Sequence, residues 1–430
     1  MLDIKFIRQN ADLVKDAVKK KFLKVDIDRL LELDQNRRNL IQKSEALKAE
    51  QNKFSKELAK EKNESLLEKS KELKERFKEF ERKLAVVEKE YSYLMMLVPN
   101  IPAQDAPVGE DESANKEVAK WGDLPEFDFE IKDHMDLGRD LDIIDTEAGV
   151  KVSGFRGYYL KNEGARLHLA VIWYCWQRMI KSGFSPLLGP TLIKDFVLFG
   201  SGHFPFGKDE IYQIGNPGKL VSGEVIEDPL YLAGTSEPTL LAYFSDKTLN
   251  EKDLPIKVCG FSQSYRSEIG SYGKDTKGLY RVHEFMKVEQ VVLCKNDINE
   301  SSGWLEKMRE ISEGVLRDLK LPYHVILSST GDMGAGKYKM YDIETWMPSR
   351  GKYGETHSDS NLTDWQARRL NIKYKDAEGV AKYVHTLNNT VIASPRILIA
   401  ILENCQQKDG SVEIPKVLRD LCGFKKIEKK

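Results

Sequence analysis

The chain predicts an α+β protein in two parts, a long antiparallel helical hairpin followed by a domain built on an antiparallel sheet. Three observations carry this expectation. Leucines and aromatics recur every seven residues between positions 28 and 98. Pro99, Pro102 and Pro107 then end the helical pattern. Beyond them lie short alternating runs and a few grouped helices, without the strand–helix alternation that a parallel sheet requires.

In the first part, Leu33, Leu40, Leu47 and Phe54 form one heptad series. Leu66, Leu73, Phe80, Val87 and Leu94 interleave with Phe77, Leu84, Tyr91 and Val98 in a second. A few polar residues around Asn63 separate the two, so the second helix folds back antiparallel on the first. Each helix extends roughly 50 Å at 1.5 Å per residue. Arg37, Ser44 and Gln51 occupy the other seam position of the first helix, which predicts a weakly packed hairpin with a charged exterior. Residues 1–98 form this amino-terminal domain, with the hairpin over about 28–98, and the acidic, small-residue stretch 99–120 reads as a linker to a domain over 121–430.

The bulk numbers narrow the function. With 430 residues, 41% hydrophobic and 31% charged, the chain is long enough for two or three domains with a substantial core. Its formal net charge is only −1, so nucleic-acid contact has to come from local patches. The first 100 residues hold 24 Lys+Arg against 19 Asp+Glu, making this the basic part. Five cysteines, none in Cys-X-X-Cys spacing, predict reduced thiols and no structural zinc. No run of about 18 apolar residues exists, and the first residues mix acid and base without an apolar signal core. A cytoplasmic protein without membrane attachment is expected.

In the second part, a helix over Ala165–Lys181 stops at Gly183 and leads through GFSPLLGP into Thr191-Leu-Ile, a turn and strand. Thr235-Ser236-Glu237 precedes Pro238 in a turn at a strand end. The stretch Phe261–Gln290 reads as two strands joined by a basic, glycine-rich loop, Ile269–Leu279, able to touch a polyanion. By the period of two, Arg281, His283, Phe285, Lys287 and Glu289 share one face of the second strand, and Val282, Met286 and Val288 fall on the other. Phe285 and Glu289 then stand about 13 Å apart, room for an elongated ligand. Arg266 and Glu268 share a face of the first strand.

Gly331–Lys337, GDMGAGK, has the spacing of a phosphate loop, but Tyr338 stands where its Ser/Thr should be and Met340–Met347 alternates like a strand. It is read as a mobile turn. Glu355 and Ser358 offer hard oxygens three residues apart, suited to magnesium. Alone, His357 reads as a surface loop histidine. Ser394 is a suitable helix N-cap before Pro395, which sets Arg396 in the first turn of a buried helix, near amides that favour a phosphate.

The order Phe261, Arg266-Ser-Glu268, basic loop, Arg281-Val-His-Glu-Phe-Met-Lys-Val-Glu289 resembles motif 2 of class II aminoacyl-tRNA synthetases, in the form of the bacterial seryl-tRNA synthetases. Motif 1 is matched over about 165–195, motif 2 over about 258–293 and motif 3 over about 384–406. Asp342-Ile-Glu-Thr-Trp, Glu355-Thr-His-Ser-Asp-Ser-Asn361 and Asp364-Trp-Gln-Ala-Arg-Arg369 resemble further family segments, with His357, Asp359 and Glu284 departing from the usual residues. The resemblance implies a class II catalytic sheet of six or seven antiparallel strands bearing a coiled-coil arm. It also implies a homodimer whose arm holds tRNA(Ser), across the dimer. The implied reaction joins L-serine to tRNA(Ser), and to tRNA(Sec) where one exists, through seryl adenylate. By resemblance Arg266 and Arg396 are catalytic, and Arg266, Ser267, Glu268, Phe285, Glu355, Thr356, His357, Ser358 and Arg396 bind ATP. Thr235, Ser236, Glu237, Arg266, Glu289, Asn388 and Thr390 bind serine, and Glu355 and Ser358 hold the Mg2+ that accompanies ATP. A relative loading a carrier protein would lack the long arm, and a non-catalytic scaffold gives no reason for these residues to occur in motif order.

Overall fold

The computed structural model describes every residue except 59–63, 217, 220, 226–227, 270–277 and 430. The turn around Asn63 and most of the basic loop after Ile269 therefore lie outside the described residues. The chain divides into two compact units, Met1–Pro99 and Asn100–Lys430.

In the first unit, two short helices, Ile4–Gln9 and Ala11–Lys20, precede α1 (Ile27–Leu58) and α2 (Glu64–Leu97). Arg29 near the start of α1 donates to Glu90 near the end of α2 at 2.9 Å, and Arg37 lies 3.2 Å from Glu88, so the pair is antiparallel. The heptad positions face the seam. Leu33, Leu40, Leu47 and Leu73 are buried, and Phe77, Phe80, Leu84, Val87 and Tyr91 are half-buried. The seam polar residue Arg37 is accommodated by stacking on Tyr91, 5.2 Å from the ring centre.

The second unit begins earlier than its composition suggests. Asn100 donates to the carbonyls of Gly336 at 3.1 Å and Leu362 at 2.9 Å, and Ala103 and Ala106 pack with Met333 and Met340. Lys116–Trp121 forms β1. The stretch expected as a linker is thus ordered against the sheet. Small residues and prolines disguise it, because it packs as extended chain with no apolar periodicity.

After β1 come α3 (Asn162–Lys181), β2 (Ser185–Pro186), α4 (Glu237–Ala242), β3 (Ile256–Tyr265), β4 (Glu284–Cys294) and α5 (Ile298–Leu319). They are followed by β5 (Tyr323–Leu327), β6 (Lys339–Met347), β7 (Lys352–Asn361), β8 (His385–Ser394) and α6 (Arg396–Asn404). The eight strands form one sheet in the order β1–β5–β6–β7–β8–β4–β3–β2. Its neighbours run antiparallel except for the short β2, which pairs parallel with β3. The expected six or seven strands were exceeded at both edges, by β1 from the supposed linker and by two-residue β2, too short to leave a periodic signal.

Alternation along β4 decides what each face does. Gln290 turns its amide to Met308 and Ser312 of α5, at 3.0 and 3.3 Å. That face belongs to the core, where α3 (Leu167, Val171, Cys175) and α5 (Met308, Val315) join Val288 and Val292 of the sheet. Glu289, one residue earlier, points to the opposite face and into a groove. All five cysteines are free, and none of the described helices is long and apolar enough to cross a membrane.

Candidate active site

Two adjoining cavities open on that face of β4, β7 and β8. Phe285, Glu268, Arg281 and Arg396 line the first. Thr235, Glu237, Glu289, Ser358 and Asn388 line the second, of about 330 Å³. Arg266, Lys287, Glu355 and Thr390 line both and so mark the junction. The Phe285 and Glu289 ends of one strand thus border different, adjoining cavities.

The register explains this convergence. Glu289 lies opposite Gly260 of β3 on one side and Thr390 of β8 on the other. A Cβ on Gly260 would stand 2.6 Å from the Ser236 hydroxyl and 2.8 Å from Leu240, so the glycine lets the start of α4, with Glu237, seat directly beside Glu289. Glu237 accepts from Gln366 at 2.7 Å and from Asn388 at 3.0 Å, and Gln366 is itself fixed by Thr386 at 2.7 Å. A carboxylate so held keeps its rotamer whether or not a ligand is present.

Each charged group in the groove has a protein partner. The Arg396 guanidinium donates to the Tyr280 carbonyl at 3.0 Å and to the Glu355 carbonyl and carboxylate at 3.0 and 3.2 Å. Arg281 donates to Glu268 at 3.1 Å. Arg266 donates to the Gly234 carbonyl at 3.1 Å and lies 5.4 Å over the Phe285 ring. Lys287 meets Glu289 at 2.6 Å and donates to the Thr235 hydroxyl at 3.1 Å.

Burial sets the acidities. It raises the carboxyl of Glu237 against the opposing hydrogen bond from Gln366 and charge of Lys287, and raises Glu289 against Lys287. Glu355 goes the other way: burial would raise it, but the charges of Arg396 and Arg266 outweigh that and hold it below the usual carboxylate range. Asp342, directly across the ladder from Ser358, is raised well above that range by burial and then by the charge of Glu355. The Glu355 and Asp342 carboxylates repel each other, Ser358 hydrogen-bonds Asp342, and the three offer hard oxygens of the kind that fit a magnesium ion.

Of the residues singled out from sequence, Arg266, Glu268, Phe285, Glu355, Thr356, Ser358, Arg396, Thr235, Glu237, Glu289, Asn388 and Thr390 line the groove. Three do not. Ser236 is buried at the turn before α4, and Ser267 donates to the Asp209 carbonyl at 2.7 Å. His357 is no surface residue: it is buried in β7 and paired with the Thr356 hydroxyl at 2.8 Å, and burial lowers its pKa to about 4. Ser394 caps nothing, because it ends β8 and its hydroxyl meets His168 at 2.6 Å, leaving Pro395 at the cap position. Val282, expected on the packed face, is buried in the core with Val288 and also borders the first cavity.

Several groove residues escaped the sequence. Gly334–Lys337 does precede a strand, as the phosphate-loop argument required, but the turn forms a wall of the second cavity. Lys287 was visible on the correct face of β4 and had no assigned partner. Tyr280 gave no signal beyond its apolar bulk, and Trp365 entered only as part of the Asp364–Arg369 segment, without a role.

Known proteins share this arrangement. Residues 1–102 match the seryl-tRNA synthetase N-terminal domain family, and residues 221–405 match the tRNA synthetase class II core domain family (G, H, P, S and T). A serine–tRNA ligase of Deinococcus radiodurans is 43% identical over 430 residues, covering 99% of each chain. The crystal structure of seryl-tRNA synthetase from Pyrococcus horikoshii complexed with ATP superposes with a TM-score of 0.88 at 39% identity, covering 100% of both chains. That of cytoplasmic serine–tRNA ligase from Naegleria fowleri in complex with AMP gives 0.85 at 31% identity, covering 100% of this chain and 99% of that one.

Proposed function

The chain belongs to the seryl-tRNA synthetase family and catalyses ATP-dependent activation of serine and its transfer to tRNA, and from that premise we propose how its groove divides the work. The observation that carries the division is the single groove with an aromatic, arginine-flanked end at Phe285 and a buried hydroxyl-and-carboxylate end at Glu289.

Phe285 stacks the adenine, with Glu268 at its edge, and Arg396 releases Glu355 to take the γ-phosphate. Thr235 and Glu237 receive the serine ammonium, while Glu289 and Thr390 face its hydroxyl and Asn388 fixes Glu237 beneath it. Arg266, at the junction, spans the serine carboxylate and the α-phosphate. A carboxylate oxygen of serine attacks the α-phosphorus, the bond to the β-phosphate oxygen breaks, and diphosphate leaves. A terminal ribose hydroxyl of tRNA then attacks the serine carbonyl, and AMP leaves. No side chain acts as nucleophile. Alignment and the fixed cation of Arg266 supply the rate. Glu355 and Ser358, with Asp342 behind them, would hold the magnesium that accompanies ATP, which supplies charge neutralisation at the phosphates.

The long hairpin of residues 28–98 is the tRNA(Ser) clamp, the enzyme works as a homodimer, and it is cytoplasmic. Selectivity follows from the Glu289 end. Alanine would leave Glu289 and Thr390 without the hydroxyl they face, a penalty that can reach about 10⁴-fold. Diphosphate exchange measured over a panel of amino acids tests the reading: serine alone should support rapid exchange, and equal exchange with alanine would refute it.

A further inference from the structure

Lys287 has no role in the division of labour above, yet it is one of four residues lining both cavities. Its ammonium is buried, 2.6 Å from Glu289 and 3.1 Å from the Thr235 hydroxyl, so it bridges the two ends of the serine subsite. We propose that Lys287 is a positioning and specificity residue of that subsite: its ammonium fixes the Glu289 carboxylate for the serine hydroxyl and fills, at Thr235, the place that the substrate ammonium takes. The inference rests on reading the groove as the serine site.

The chemistry of the surroundings supports it. A buried carboxylate without a counter-charge protonates. Glu289 faces Lys287 on its own strand, Glu237 from α4 and Arg266 beyond the end of β3, with Asp359 of β7 within electrostatic reach. Burial does most to raise its pKa, Glu237 adds to the rise, and Lys287 opposes it more strongly than Arg266 does. Without Lys287 the carboxyl would stay protonated to higher pH, and a protonated carboxyl offers the serine hydroxyl a weaker acceptor. At Thr235, the lysine ammonium is chemically the same donor as the α-ammonium of an amino acid. The empty subsite is thereby kept charge-balanced, and entry of serine is an exchange of one ammonium for another.

Lys287→Met keeps most of the side-chain volume and removes the charge. Serine and ATP KM values in diphosphate exchange, measured from pH 6.5 to 8.5 on the full-length enzyme, test the proposal. For the variant we expect a serine KM at least about tenfold higher at pH 7 that improves as pH rises, with the ATP KM within about twofold of wild type. Lys287→Arg should restore the flat profile of the wild type, since a guanidinium stays charged throughout. A variant serine KM with the wild-type pH profile, or an equal rise in both KM values, would overturn the proposal. Should the methionine variant be insoluble, Lys287→Gln carries the same test. Wild-type enzyme that shows no serine-dependent exchange would remove the underlying reading, whereas wild-type exchange with unaltered variants removes only the role of Lys287.

Discussion

The hairpin and the groove use charge in opposite ways. Between α1 and α2 the Arg29–Glu90 pair is open to water, its side chains 41% and 45% exposed, and only Asp34, paired with Arg38, is a buried exception among the ion pairs described there. In the groove, Lys287 and Glu289 are 9% and 1% exposed. An exposed charge costs nothing to leave unpaired, so the hairpin can offer its cations to a large polyanion and exchange one partner for another. A buried charge must be paired, so the groove accepts only ligands that replace the partners they displace. On the proposed reading, the first surface recognises by sum, the second by position.

The sharpest way to break this contrast is to remove one region. Deleting residues 28–98 should abolish tRNA charging while sparing serine-dependent diphosphate exchange; charging that survives the deletion would sink the clamp reading of the hairpin. Next in size is Arg266→Ala, which removes the junction cation. Exchange should fall roughly 10²- to 10³-fold in kcat, as for loss of one preorganised donor in other active sites. Glu289→Ala should be smaller and selective, raising the serine KM by about ten- to a hundredfold with little change for ATP. Parallel losses for both substrates would show that Glu289 supports the fold and not the specificity. On the hairpin, no single Lys or Arg should matter as much: charging should weaken by a few-fold per cation removed, and less at higher salt.

The same contrast decides what could be read from sequence. Heptads made the hairpin legible, because a seam repeats and Leu33, Leu40 and Leu47 announce one another. The groove became legible only where a strand alternates: Phe285, Lys287 and Glu289 share a face because β4 is regular from Glu284 onward. Val282, just before that strand begins, is still packed in the core as the alternation placed it, though it also borders the first cavity. Gly334–Lys337 and Tyr280 enter the groove through turns and loops, whose direction no periodicity encodes. His357 looked like a loop residue because its neighbours are polar, while in fact six of the ten residues of β7, His357 among them, are buried. Buried polar strands of this kind are built around ligands and carry no hydrophobic pattern to betray them.

At neutral pH the smallest effect of all should come from the histidines, and acid should reveal it. All seven lie in the second unit, and burial holds His168, His203, His357 and His385 below their ordinary values, His168 to about 4. A histidine depressed in the folded state binds its proton only in the unfolded chain, so stability is intact above pH 6.5 and falls as the pH drops from about 6.5 towards 4. For His168, bonded to Ser394 and 8% exposed, the loss at pH 4 is on the order of 3 kcal/mol. The six tryptophans also lie in the second unit, between Trp121 and Trp365, so urea unfolding followed by tryptophan fluorescence reports on it alone. Its midpoint should decline steeply between pH 6.5 and 4.5, and His168→Gln should flatten part of that decline at the expense of stability at pH 7. The hairpin has no histidine, and its carboxylates begin to titrate only near the acid end of that interval, so its decline should be the shallower; an equally steep decline for an isolated fragment of residues 1–99 would contradict the contrast.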